Sequence, residues 1–276
     1  MALSLYALVL HLHPLAAGRL EATVGYRAYA AFLQAVQEAD PAVSARLHEG
    51  QRRRPFTVSP LFGLERDGHG SAMVRPEHSY RLRLTLLEPV LYEELMGRFL
   101  SGAQRTIRLG SIEFAIRRVC ATAQGDPEAG ASSPEQLWEE ARPRRGLGLR
   151  FVTSTAFNRS EGKERRRFLL FPEPAVVFEG LAGSWNRLGG RVIDREAIGA
   201  YARDHVVVAE YDLHTQAWRF EHATQLGFAG RVRYECRGDE AMRRQVAALA
   251  ALSFYTGAGS KTTQGMGQVR PSWSDE

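Results

Sequence analysis

The chain has 276 residues, 44% of them hydrophobic, enough to bury a real core and to fill about two ordinary domains, which excludes a disordered tail or a disulfide miniprotein. Thirty-six Lys and Arg against thirty-one acids give a net charge of +5, and a pI near 9.5 with clustered arginines points to a polyanionic partner. Cys120 and Cys236 are too few for a zinc cluster and too far apart for a redox motif, so free thiols in a reducing cytoplasm are expected; the apolar stretch Ala2 to Leu12 lacks a basic leader and is too short to span a membrane.

Ser4 to His13 alternates and is rich in Leu and Val, which predicts a half-buried strand ended by Pro14. Val24 to Ala39 turns helical, with Phe32, Val36 and Ala39 on one stripe, before Asp40-Pro41 interrupts it and a second helix runs from Ala42 to Leu47. Next comes the basic loop Glu49 to Leu61, whose run Arg52-Arg53-Arg54 must be solvated or paired. Tyr80 to Leu87 reads as a strand, Val90 to Leu100 as an amphipathic helix and Ile112 to Val119 as another strand. With one more strand between about Thr57 and Val74, the order is β-α-β-β-α-β, the ferredoxin-like unit.

Thr122 to Ser133 is poor in large apolar residues and reads as a linker, so the expected domains are 1–124 and 125–276. Ser133 and Pro134 fit the cap and first position of a short helix reaching Ala141. Leu149 to Phe157 follows as a strand, Ala175 to Leu188 as a helix, and His205 to Tyr211 with Gln216 to Phe220 as a hairpin. Phe228 to Cys236 is a further strand and Asp239 to Tyr255 an alanine-rich helix. The expected fold is α+β, two tandem ferredoxin-like domains with a C-terminal glycine-rich loop. Asn158 to Arg167, containing Arg165 and Arg166, is expected to project as a basic hairpin.

The most informative stretch is that loop, Gly257-Ala258-Gly259-Ser260-Lys261-Thr262-Thr263-Gln264-Gly265-Met266-Gly267. Four glycines around one lysine and its hydroxyl neighbours predict a backbone whose N–H groups face a phosphate. It is not a Walker loop, because Ser260 precedes Lys261 and a helix lies upstream. Nor is it a dinucleotide fingerprint, because Thr262 stands at the third glycine position.

The spacing Gly-x-Gly, five residues, Gly-x-Gly, with Lys-Thr-Thr at its centre, resembles the C-terminal loop of the CRISPR precursor-RNA endoribonucleases, the sixth Cas family of the RAMP superfamily. Ala45-Arg46-Leu47-His48-Glu49 with Arg54-Pro55-Phe56-Thr57-Val58-Ser59-Pro60-Leu61, then Phe151-Val152-Thr153-Ser154-Thr155-Ala156-Phe157, Leu170-Phe171-Pro172-Glu173-Pro174 and Trp185-Asn186, resemble the same family in the same order. The resemblance implies a metal-independent endoribonuclease that needs no cofactor and cuts the repeat transcript into guide units. The implied partner is CRISPR repeat RNA as precursor and as product. Subunits of an effector complex, or a second copy of the chain, remain open as further partners.

In such a reaction the 2′-hydroxyl beside the scissile phosphate displaces the 5′-oxygen and leaves a 2′,3′-cyclic phosphate, so the site needs a proton acceptor, a proton donor and positive charge. His48 matches the family's catalytic histidine, and Arg54, six residues on, falls where the family places a cation. Some members carry a tyrosine fifteen residues before the histidine, where this chain has Leu33; Tyr29 and Tyr26 lie near the same helical face and supply candidate phenols. The other histidines are dispersed without metal-ligand spacing.

Expected RNA contacts are Arg52, Arg53, Arg165, Arg166, Arg167, Lys261, Thr262, Thr263 and the loop glycines Gly257, Gly259, Gly265 and Gly267. Two other readings compete: a non-catalytic RAMP-type RNA-binding subunit, which Leu33 favours, and a general single-strand RNA binder. His48 and its basic loop favour the enzyme.

Overall fold

Alternation along Leu5–Pro14 (β1) sends Tyr6, Leu8, Leu10 and Leu12 into one core and leaves His11 and His13 half-buried on the other face. The computed structural model describes residues 4–21, 25–49, 54–66, 71–159, 167–220 and 223–274. They form two compact units. One comprises Leu3–Ser132 with Thr263–Gly265; the other comprises Met1–Ala2, Ser133–Thr262 and Met266–Glu276.

In the N-terminal unit β1 is followed by β2 (Gly18–Glu21), α1 (Gly25–Ala39), α2 (Pro41–Glu49), β3 (Phe56–Val58), β4 (Glu65–Arg66), β5 (Ser71–Val74), β6 (Tyr80–Leu86), α3 (Pro89–Ser101), β7 (Thr106–Leu109), β8 (Ile112–Cys120) and β9 (Gly130–Ser132). The main sheet runs β3-β6-β1-β8-β7, antiparallel throughout, with Leu8 opposite Leu84 and Leu10 opposite Leu82. Its first four strands have the ferredoxin-like order and β7 extends one edge. Ala28, Phe32 and Val36 of α1 and Leu91 and Leu95 of α3 fill the core beneath it. The small sheet β2-β5-β4 was not foreseen, its strands being two to four residues long.

The stretch read as a linker is instead fastened along the sheet. Its end, β9, pairs with Leu5–Ala7 of β1. Asp126, nearly fully buried, lies 3.2 Å from His11 Nε2 and 3.5 Å from Arg81, and the buried Arg83 donates to the Glu128 carbonyl at 2.8 Å. A segment too poor in apolar groups to dock by burial is held here by charge and hydrogen bonds.

The C-terminal unit holds α4 (Pro134–Glu140), β10 (Gly146–Thr155), β11 (Phe157–Asn158), β12 (Phe168–Leu169), α5 (Pro174–Trp185), α6 (Arg195–His205), β13 (Val206–Arg219), β14 (Thr224–Cys236), α7 (Glu240–Thr256), a 3-10 turn (Thr262–Gln264) and β15 (Val269–Ser274). Its sheet runs β13-β14-β10-β15, again the ferredoxin-like order. Ser133 caps α4 by accepting from the Gln136 N–H, as its position predicts.

Two expectations need correction. The pair of strands expected over His205 to Phe220 is one fourteen-residue strand, β13, matched along its length by β14; the turn comes later, where Phe220 N–H donates to the Ala223 carbonyl. Asp212 to Thr215 hold no glycine or proline, and all four pair with β14 opposite Arg231, Gly230, Ala229 and Phe228, so the one turn-prone residue there, Asp212, does not break the strand. Helix α6 was missed because its buried side, Ile198, Tyr201 and Ala202, is narrow among charged neighbours; Asp194 caps it through the N–H groups of Glu196 and Ala197. Among the described residues no helix is long and apolar enough to cross a membrane.

Candidate active site and glycine loop

Helix α1 buries Ala28, Phe32, Ala35 and Val36, which leaves Tyr29 half-buried at the margin of the stripe. Strand β3 runs beside it, and Phe56 lies 4.4 Å from Phe32 and 6.2 Å from Tyr29, centroid to centroid. That aromatic packing sets the chain just ahead of β3 against Tyr29. The Arg54 Nη1 donates to the Tyr29 hydroxyl, and the guanidinium carbon sits 5.1 Å from the centre of the same ring. The structure thus joins two site candidates that are twenty-five residues apart.

Burial pushes the Tyr29 phenol above its usual 10, with the positive charge of Arg54 pulling the other way and Tyr26 adding to the rise. The group therefore holds its proton throughout the neutral range. Tyr26 is 6.2 Å from Tyr29 across their rings. Leu33, where the resemblance implies a phenol, is partly buried and packs against the hydrophobic core.

Helix α2 starts at a cap formed by Asp40, which accepts from the N–H groups of Ala42 and Val43, and docks through the buried Val43 and Leu47. His48 is the residue after Leu47, in the last turn of α2; its side chain lies outside the described residues, as do Arg52, Arg53, Arg165 and Arg166. Arg167 is exposed, and its carbonyl accepts from the Arg159 N–H at the mouth of the basic hairpin.

The four loop glycines all have positive φ: Gly257 63°, Gly259 83°, Gly265 92° and Gly267 68°. At Gly267 a Cβ would strike the Ala258 carbonyl, and at Gly259 it would lie 2.7 Å from the Ala156 carbonyl. The spacing is therefore demanded by backbone packing. One part of the phosphate-cradle expectation is corrected by the hydrogen bonds. The N–H groups of Ala258, Ser260, Met266 and Gly267 turn inward to the carbonyls of Gly267, Ala156, Lys261 and Ser154, and that of Gln268 to the Thr153 hydroxyl.

What the loop presents outward is Lys261, exposed, followed by Thr262 and Thr263, half-buried in the 3-10 turn. Lys261, at φ 56°, is the one residue other than glycine with positive φ among the described residues, a conformation that costs an L-residue roughly 1–2 kcal/mol. Its ammonium lies 3.6 Å above the centre of the Phe220 ring. Sequence reasoning left Phe220 as an ordinary strand residue; no signal along the chain links it to position 261.

The other motifs hold this frame. Thr153 and Ser154 anchor the loop as just described, Tyr234 donates to the Pro172 carbonyl at 2.7 Å, and Asn186 bonds in both directions with the backbone of Ile193 while Trp185 donates to the Arg191 carbonyl. Trp185 and Asn186 close the connection between α5 and α6. Their role is architectural.

Each unit has the ferredoxin-like strand order, the N-terminal one carries a phenol–guanidinium contact and the C-terminal loop presents a lysine, which defines a tandem ferredoxin-like protein. Comparison with known families agrees: the model of the CRISPR-associated endoribonuclease Cas6 matches residues 149–269 and that of the CRISPR Cas6 N-terminal domain matches residues 4–139. The chain belongs to the Cas6 family.

The CRISPR-associated endoribonuclease Cas6 of Streptococcus thermophilus is 24% identical over 145 residues, 52% of this chain and 57% of that protein. The Cas6 of Mycobacterium tuberculosis is 23% identical over 208 residues, 72% of this chain and 61% of that protein. The chain thus spans about three fifths of the length of these curated relatives. A solved product complex of the Thermus thermophilus Cas6 superposes with a TM-score of 0.82 at 28% identity, covering 98% of this chain and all of that one.

Proposed function

We propose that this chain is an endoribonuclease that cuts CRISPR repeat RNA within a precursor transcript and works without a metal ion. The relatives bear the name of endoribonuclease, and one was solved with its product. The observation that carries the reading is the direct contact of Arg54 with the Tyr29 hydroxyl on the unit that also holds His48 at a helix end.

The chemistry divides among these groups. A base takes the proton of the 2′-hydroxyl, O2′ forms its bond to phosphorus, and the bond from phosphorus to O5′ breaks as that oxygen receives a proton. The products are a 2′,3′-cyclic phosphate and a 5′-hydroxyl. Tyr29 keeps its proton through the neutral range and its oxygen accepts from the Arg54 guanidinium, whose charge favours the phenolate left when the proton departs, so it serves as the acid. The base is then His48, since imidazole exchanges protons near neutral pH. Arg54, always charged, steadies the phosphorane oxygens and orients the phenol.

Binding draws on Lys261 with Thr262 and Thr263 for phosphate, together with the arginines of the two basic loops. The test is incubation of the purified protein with labelled repeat RNA in excess chelator. Cleavage leaving a cyclic phosphate is expected, and a deoxyribose at the cut should abolish it. Binding without cleavage, or cleavage of the deoxy substrate, would overturn the proposal.

A further inference from the structure

The loop lysine is aimed from outside the loop. Phe220 ends the long β13–β14 hairpin, which its N–H closes onto the Ala223 carbonyl, and its ring packs on the buried cluster of Ala156, Trp218 and Met266. The same hairpin reaches the loop again: Gln225, almost fully buried, donates from Nε2 to Ser260 Oγ at 3.2 Å, and Ser260 donates in turn to the Ala156 carbonyl. Ser260 and Lys261 are thus fixed by neighbouring contacts from one element.

Three constraints converge on Lys261. Its backbone is held in the left-handed region, where an L-residue settles only if its surroundings impose it. Its carbonyl accepts from the Met266 N–H, closing the loop at its back. Its ammonium lies 3.6 Å over the face of Phe220, the negative side of the ring quadrupole. A lysine that served only as diffuse positive charge needs none of this. An exposed lysine normally samples many rotamers, and freezing them during binding lowers affinity.

We propose that Phe220 is a positioning residue for RNA recognition: its ring face holds the Lys261 ammonium in place to meet one backbone phosphate, and the β13–β14 hairpin thereby sets the loop's contact with the transcript. This rests on the reading of Lys261 as a phosphate ligand. An ammonium has three N–H donors and can lie against a ring with one side while donating to phosphate with another, so one ammonium can touch ring and phosphate together.

The experiment is the salt dependence of repeat-RNA binding for the full chain with Lys261→Met, Phe220→Leu and the double variant. Losing one phosphate contact lowers the slope of log affinity against log salt by about 0.7. Lys261→Met should show that loss with affinity reduced about fivefold, Phe220→Leu should show nearly the same, and the double variant should be no worse than either. Phe220→Trp, which restores an aromatic face, should recover the slope.

A purely packing role for Phe220 would lower the melting temperature and leave the slope alone. That result, or strict additivity in the double variant, overturns the proposal while leaving Lys261 as a ligand. An unchanged slope in Lys261→Met defeats the reading of Lys261 and the proposal with it. If Phe220→Leu does not fold, pentafluorophenylalanine at 220 keeps the shape and reverses the ring quadrupole. The slope loss must then appear in that protein, and a native slope there overturns the assignment.

Discussion

Replacing Tyr29 by Phe separates the structural and chemical parts of the site. The ring survives, so its packing on Phe56 and the guanidinium 5.1 Å from its centroid survive too. What is lost is the hydroxyl that accepts from Arg54, one charge-assisted hydrogen bond in a half-buried place, which costs roughly 1–2 kcal/mol of stability. In a unit of this size that lowers the melting temperature by about 3–8 °C.

The chemical loss is larger. A positioned acid contributes about 10²–10⁴ in rate, or roughly 3–5 kcal/mol of transition-state stabilisation, and folding to the native state remains essentially complete in the variant. Single-turnover cleavage with enzyme in excess should therefore fall at least about a hundredfold at unchanged affinity. A substrate with sulfur at the bridging 5′ position supplies the control, because a thiolate leaves without needing a proton. Tyr29→Phe should cut that substrate at close to the native rate, whereas His48→Ala should not. The reasoning fails if Tyr29→Phe cleaves the ordinary substrate within about threefold of native, or if sulfur gives no rescue.

His48→Ala should slow cleavage by about 10²–10⁴-fold with repeat-RNA affinity nearly unchanged, as measured by single-turnover rates beside filter binding. Gly267→Ala places a methyl on the Ala258 carbonyl at φ 68°, and should cost about 2–4 kcal/mol in denaturant titrations and weaken RNA binding as the loop shifts. Burial pushes the Cys236 thiol up to about 12 from 9.0, so the folded state favours the neutral thiol and the stability this gives is full below pH 9. It is lost as pH rises from about 9 towards 12. Melting temperatures across that window should fall, and Cys236→Ala should flatten the decline.

The periodic elements were legible because each is built around a run of buried apolar residues, on one stripe of α1 and on both faces of β1 and β6. β1, α1, β6, α3 and α7 could be read from their own residues, and the ferredoxin-like order followed from counting them. β13 was misread because only a few of its side chains are buried and the partner strand β14, rather than its own pattern, keeps it extended. The glycine spacing was legible, but not the direction of the N–H groups, since that depends on carbonyls at Ser154 and Ala156 about a hundred residues upstream. Lys261 over Phe220 was hidden for the same reason.

The leucine at position 33 looked like a missing catalytic group, and the structure supports a different account. Four residues separate Tyr29 from Leu33, so the phenol lies on nearly the same side of α1 and about 6 Å further towards its N-terminus. A phenol at that level serves only if the cation reaches it. It does: Arg54, two residues ahead of β3, is set by Phe56 against Phe32 and donates to the phenol directly. On the proposed mechanism, phenol and cation act as one unit. Returning a tyrosine to position 33 while Tyr29 is Phe should therefore fail to restore cleavage, since Leu33 packs into the core. Restoration by Leu33→Tyr would show instead that the face alone, and not the contact with Arg54, is what the reaction needs.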